Sequence, residues 1–174
     1  MTVLSGKTIR VLCEEKELLT PWSESKIGPS GMSYGLSHAG YDVRLDSEVI
    51  LYPGDYKLGA TLERFNMPKD VLGIVHDKST LARQAITVQN TVIEPGWQGY
   101  LTVEIAYHAS FWKMVKSRIP FTGRFKWGNP IILPAGVPIA QVVFHRLDQP
   151  VEGYSGKYQN QEAGPQEARF SKET

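Results

Sequence analysis

The sequence predicts an all-β fold, and three observations carry that expectation. Apolar and polar residues alternate with a period of two through the middle of the chain. Short apolar runs recur at close spacing, and Pro-Gly, Pro-Ala-Gly and Gly-Ser pieces separate them. No helical repeats intervene between the runs, so the strands should close into a sandwich or barrel rather than form βαβ units. At 174 residues the chain is long enough to bury one core without covalent staples.

The exception to the β pattern comes first. In SGKTIRVLCEEKELLT (5–20), Ser5 can cap a helix, and Ile9, Leu12 and Cys13 fall on one face at i, i+3 and i+4. The helix should end before Pro21. KIGPSGMSYGLSHAG (26–40) is rich in Gly and Ser and reads as a loop. The alternation then begins: Tyr41, Val43 and Leu45 interleave with Asp42, Arg44 and Asp46, and Pro53-Gly54-Asp55 supplies a turn. Further strands are expected in YKLGATLERF (56–65), VLGIVHD (71–77), AITVQNTVI (85–93), YLTVEIAYH (100–108), PIILPAG (130–136) and PIAQVVFHRL (138–147). EPGWQG (94–99) and PAG (134–136) are turn signals between them.

Composition narrows the chemistry. Charged residues make up 21% and the net charge is +1, so no global field recruits nucleic acid or an anionic membrane, and any anion site must be local. No apolar run reaches the roughly 18 residues of a membrane helix, and the N-terminus lacks the apolar core of a signal peptide. The single cysteine, Cys13, excludes an internal disulfide and points to a reducing cytoplasm. It also excludes the zinc nucleobase deaminases, which need His-x-Glu followed by Pro-Cys-x-x-Cys.

Three stretches can carry chemistry. DKSTLARQ (77–84) sets Lys78, Ser79, Thr80 and Arg83 within six residues. A strand running into a helical turn there, capped by Asp77 or Ser79, would also present backbone N–H groups to an anion. In GYLTVEIAYH (99–108), Glu104 shares a strand face with Thr102 and Ala106. A solvent-facing Glu would have more polar company. A Glu between small neighbours in a half-closed pocket has its pKa raised, which suits proton transfer near neutrality. Glu94, just before Pro95-Gly96, is either a turn-capping acid or a carboxylate that orients water or faces a metal.

Two segments stand apart from this pattern. SFWKMVKSRIPFTGRFKWGNP (110–130) interleaves five Lys or Arg with Phe111, Trp112, Phe121, Phe125 and Trp127. It reads as a hairpin excursion packing its aromatics on a neighbouring subunit, in preference to a single-strand nucleic-acid platform. Residues 151–174 are nearly devoid of aliphatic side chains and read as a mobile tail beyond a body of residues 1–150. Tyr154, Lys157, Tyr158 and Gln161 can still meet the polar edge of a ligand if the tail orders as a lid.

In order along the chain, AGYDVRL (39–45), KSTLAR (78–83), VIEPGWQGYLTVEI (92–105), PAGVPIAQVVF (134–144) and KYQNQEAGPQEARF (157–170) resemble the family of trimeric deoxyuridine triphosphatases and dCTP deaminases. The resemblance spans residues 30 to 170. It implies a distorted β jelly roll, a homotrimer with sites between subunits, and a C-terminal tail closing over the nucleotide. By the same resemblance Lys78 and Ser79 lie near the triphosphate, Arg83 beside the base, and Thr80, Gln141, Tyr154, Lys157 and Gln161 in the nucleotide site. Mg²⁺ would ride on the triphosphate, with no metal ligand from the protein.

Glu104 follows Gly99 by five residues, where the deaminases of this family have their catalytic glutamate, and the Gly-Phe-Gly-Ser-Thr-Gly tail of the diphosphatases is absent. The resemblance therefore implies deamination of dCTP to dUTP and ammonia, with Glu104, Arg83 and Ser79 as catalytic residues. Two departures bear on the alternative, a dUTP diphosphatase or a bifunctional enzyme giving dUMP. Glu94 stands where the family has Asp. The segment TVQNTVI (87–93) is also about two residues shorter than the deaminase pattern, which leaves open whether Asn90 or Thr91 supplies the carbonyl that holds the reactive water.

Overall fold

The computed structural model describes residues 2–108 and 130–170. The basic aromatic segment 110–130 therefore lies, but for its final residue, outside the described residues. After β1 (Thr2–Val3), helix α1 runs over Gly6–Lys16, followed by β2 (Leu19–Thr20), β3 (Lys26–Ile27), β4 (Ser33–Leu36), β5 (Tyr41–Arg44) and β6 (Val49–Leu51). Strands β7 (Tyr56–Asn66) and β8 (Val71–Asp77) lead into a four-residue helix, α2 (Ser79–Ala82), and then β9 (Ile86–Val88), β10 (Val92–Ile93) and β11 (Gln98–Tyr107). Strands β12 (Ile131–Leu133) and β13 (Pro138–Arg146) complete the set.

The strands form a distorted jelly roll. One sheet has the order β10-β8-β13-β5-β4-β3, with β1 added on β13; a second has the order β2-β7-β11-β9, and β12 pairs with β6. Their inward faces share one core that includes Tyr41, Phe65, Ile105, Ile139 and Phe144, each fully buried. An isolated bridge from Leu45 to Thr61 and a hydrogen bond from Asp46 N to Ala60 O join the two main sheets.

Helix α1 behaves as its sequence dictates. Ser5 Oγ accepts from Thr8 N, Glu17 ends the helix in the left-handed region, and Ile9, Leu12 and Cys13 are buried. Burial pushes the Cys13 thiol up to about 12, so it is an inert core group. No helix among the described residues is long and apolar enough to cross a membrane.

The stretch 26–40 corrects the loop expectation, for it holds β3 and β4. Gly35 misleads a composition-based reading. It sits within β4 at φ +88, and a Cβ there would lie 2.5 Å from the carbonyl oxygen of Glu24. Its glycine serves close backbone approach rather than a flexible turn.

A polar knot holds the centre of the sandwich. Thr102 opposes Ala60 where unbroken pairing from Tyr100↔Arg64 would give Leu62, so β7 bulges by two residues. Thr61 Oγ1 fills the gap, donating to Glu63 O and accepting from Leu101 N. The bulge turns the fully buried Glu63 onto Arg44: Oε1 accepts from Arg44 Nε at 2.7 Å and Oε2 from Arg44 N at 2.9 Å. Burial raises the Glu63 carboxyl above its ordinary range, and Arg44 opposes that rise. Arg44 also lies over the Tyr34 ring at 4.6 Å. Glu63→Ala leaves the guanidinium without its carboxylate in a largely dry site, at a cost of about 3–5 kcal/mol. The expected result is a large drop in the urea midpoint, and an unchanged midpoint would show that the pair holds nothing together.

Candidate active site

Strand β11 carries the central acid. Alternation turns Val103 and Ile105 into the core and leaves Thr102 and Glu104 half-buried on the other face. That face forms one side of a cleft of about 780 Å³. Leu58, the cross-strand partner of Glu104, contributes a second side, and the β10 turn with Thr91 and Glu94 a third. Burial raises the Glu104 carboxyl above its usual range, opposed only by a backbone hydrogen bond. A carboxyl in that state holds a proton closer to neutrality than an exposed one, which is what a group that takes and returns protons requires.

The last side of the cleft is the C-terminal segment. Expected to be mobile, residues 151–170 are instead docked on the body by a series of polar contacts. Trp97 Nε1 donates to Tyr158 O, Gln98 N to Gln159 Oε1, and Tyr100 N to Gln161 O. Gln161 is buried and forms a parallel bridge with Gly99. Gly99 permits this, since its φ is +142 and a Cβ would fall 2.6 Å from Gln161 N. Segments poor in aliphatics can dock in this way because backbone and amide groups supply the bonds that a core would otherwise supply.

The sequence-predicted residues divide into two groups. Glu94, Thr91, Glu104, Tyr154 and Gln161 share the cleft; Lys78, Ser79, Thr80, Arg83, Asn90, Gln141 and Lys157 do not line it. Ser79, Thr80 and Arg83 are exposed at α2. The turn lacks the expected side-chain cap. Lys78 occupies the cap position without a side-chain bond, and Asp77 Oδ1 instead accepts from Val88 N across to β9 at 2.6 Å. Lys78 itself is drawn inward, with its Nζ 2.8 Å from Asp42 Oδ2 and both side chains largely buried. Its charge is thus partnered within the chain rather than presented to an anion.

Gln141 Nε2 donates to Ser37 Oγ, and Lys157, exposed, donates to the carbonyl of Arg169. Thr91 is half-buried and its carbonyl already accepts from Val75 N, whereas Asn90 is exposed. Among the described residues no three His, Cys, Asp or Glu side chains gather to hold a metal.

Comparison with known proteins places this geometry. A family model described as dCTP deaminase-like matches residues 40–116. The dCTP deaminase of Campylobacter fetus is 33% identical over 93% of this chain and 95% of its own length, and that of Campylobacter concisus 31% over the same shares. The chain belongs to the dCTP deaminase family. Solved structures agree on the fold. The 2'-deoxycytidine 5'-triphosphate deaminase of Agrobacterium tumefaciens superposes with a TM-score of 0.61 at 16% identity, over 83% of this chain but only 48% of its own. The dUTPase of Staphylococcus aureus phage phi11 gives 0.54 at 17% identity, over 76% of this chain and 96% of its own.

Seen as a dCTP deaminase-family fold, the chain also shows residues that sequence reasoning passed over. In the sequence Thr102 stands out only for its small size, yet its hydroxyl accepts from Gln161 Nε2 at 2.5 Å and from Gln166 N at 2.9 Å. Trp97 looked like a turn residue, yet its indole is buried against Phe65 and ties down the tail. The parity of Thr102 with Glu104 was the available signal for the first; for the second nothing in EPGWQG separates a buried Trp from an exposed one.

Proposed function

We propose that this chain deaminates dCTP to dUTP and ammonia, with Glu104 as the general acid and base. The observation that carries the reading is a half-buried carboxyl, its pKa raised by burial, in a nucleotide-sized cleft of a dCTP deaminase-family fold. Water adds to C4 of the cytosine as Glu104 takes its proton. Glu104 passes that proton to the ring nitrogen, where it stays, then takes the proton of the new C4 hydroxyl and hands it to the departing amine, so that the C4–N bond breaks, ammonia leaves and a carbonyl remains at C4. No cysteine pair is at hand for zinc, and Mg²⁺ enters as part of the substrate, on the triphosphate.

Arg83 and Ser79 are the partners of Glu104 in this reading, but they are exposed on α2 and do not line the Glu104 cleft of the same chain. We therefore assign the site to a homotrimer in which α2 of one copy faces the cleft of another. There Arg83 steadies charge on the ring, Ser79 and Thr80 meet water or phosphate, and the tail of residues 151–174 closes over the nucleotide on the body of residues 1–150. The free, buried Cys13 fits the reducing cytosol as the place of action. The test is release of ammonia from dCTP by the purified full chain, with ammonia matched to dUTP as the expected result and no ammonia as the result that rejects it.

A further inference from the structure

Thr102 makes contacts that neither strand pairing nor the proposed chemistry requires. A threonine hydroxyl offers two lone pairs. Here they face two donors from one segment, the Gln161 side-chain amide at 2.5 Å and the Gln166 backbone N–H at 2.9 Å. Both donors belong to the stretch that lines the cleft through Gln161, Pro165, Gln166, Glu167 and Ala168. Thr102 is two residues from Glu104 on the same face of β11, about 6–7 Å along the strand.

The rest of the segment has its own ties. Residues 157–169 close on themselves, with Arg169 NH1 donating to Lys157 O, Arg169 N to Tyr158 Oη and Arg169 NH2 to Gln166 Oε1. Trp97 and Gln98 hold the near end of this loop through Tyr158 and Gln159. At the far end, the hydrogen bonds to the body are those of Gln161 with Gly99 and Tyr100 and those of the Thr102 hydroxyl.

We propose that Thr102 is a positioning residue, a latch whose hydroxyl seats the C-terminal segment over the Glu104 cleft and so sets the affinity for nucleotide. The proposal rests on reading that cleft as the dCTP site. Only a residue with a small hydroxyl serves: serine keeps the acceptor, whereas valine keeps the shape and removes it, leaving two donors in a half-buried place without a partner.

The test uses the full chain and the variants Thr102→Val, Thr102→Ser and Gln161→Leu. Without nucleotide, amide exchange of residues 158–168 in Thr102→Val is expected to be roughly tenfold or more faster than in the parent, with exchange in the β-sandwich unchanged and Thr102→Ser close to the parent. Because this arm contains no substrate, it decides the latch even if dCTP is not turned over. With dCTP, Thr102→Val is expected to raise KM by roughly tenfold with little change in kcat, and Thr102→Ser to restore it. In the exchange measurement without nucleotide, Gln161→Leu added to Thr102→Val should do little more than Thr102→Val alone, because the hydroxyl that the Gln161 amide meets is already gone. Parent-like exchange across 158–168 in Thr102→Val, or full additivity of the two substitutions, overturns the proposal.

Discussion

Glu104→Gln is expected to lower the turnover of dCTP by roughly a thousandfold or more while leaving nucleotide binding close to the parent's. The amide fills the same volume and still offers an oxygen to a water, but it cannot accept the proton that water must lose to add to C4. The fold should tolerate the change. Burial already works against the ionised carboxyl at this position, so removing its charge relieves a cost rather than creating one. The same burial sets the pH dependence. A base must be deprotonated to act, and a raised pKa moves the acid limb of kcat/KM above the range of an exposed carboxylate. Steady-state kinetics and nucleotide titration check both parts, and a variant that still deaminates at the parental rate would remove Glu104 from the chemistry.

A second large effect should come from mixing. Arg83→Ala and Glu104→Gln should each be nearly inactive as pure proteins. Refolded together in equal amounts, they should recover roughly a quarter of the parental activity, since one site in four would combine an intact Arg83 from one copy with an intact Glu104 from another. The structure motivates this because Arg83 is exposed at α2 while Glu104 faces a cleft that α2 does not enter. If both residues served a site within one chain, no mixture would regain activity. The recovered fraction is therefore a direct reading of how the site is shared.

Much of the fold was legible because period-two alternation is a consequence of strand geometry. VLGIVHD became β8 residue for residue, and the α1 cap fell on Ser5. Alternation does not report where a backbone must pass close to another, so the glycine-rich β4 looked like a loop. Polar partners distant in sequence were also out of reach. Arg44 and Glu63 belong to strands that each looked half-solvated, although Glu63 shares parity with the buried Thr61 and Phe65, and that parity was the hint. That Glu104 is half-buried rather than solvated was legible from the smallness of its neighbours. That Lys78 turns inward was not, because the attraction comes from Asp42, a residue whose alternation pointed to solvent and whose burial depends on the packing of β5 against its neighbours. The docking of the tail was hidden for another reason. Its composition predicts no core, and although Tyr154 packs on the body, its other contacts are polar bonds that carry no hydrophobic signature.

The most direct measurement is the product balance of one reaction. The purified chain is incubated with dCTP, and separately with dUTP, in Mg²⁺, and nucleotides, ammonia and pyrophosphate are quantified together. The account predicts one dUTP and one ammonia for each dCTP consumed, with dUTP itself left intact. Pyrophosphate and dUMP from either nucleotide would contradict it and move Glu94 from the rim of the cleft to the centre of the chemistry.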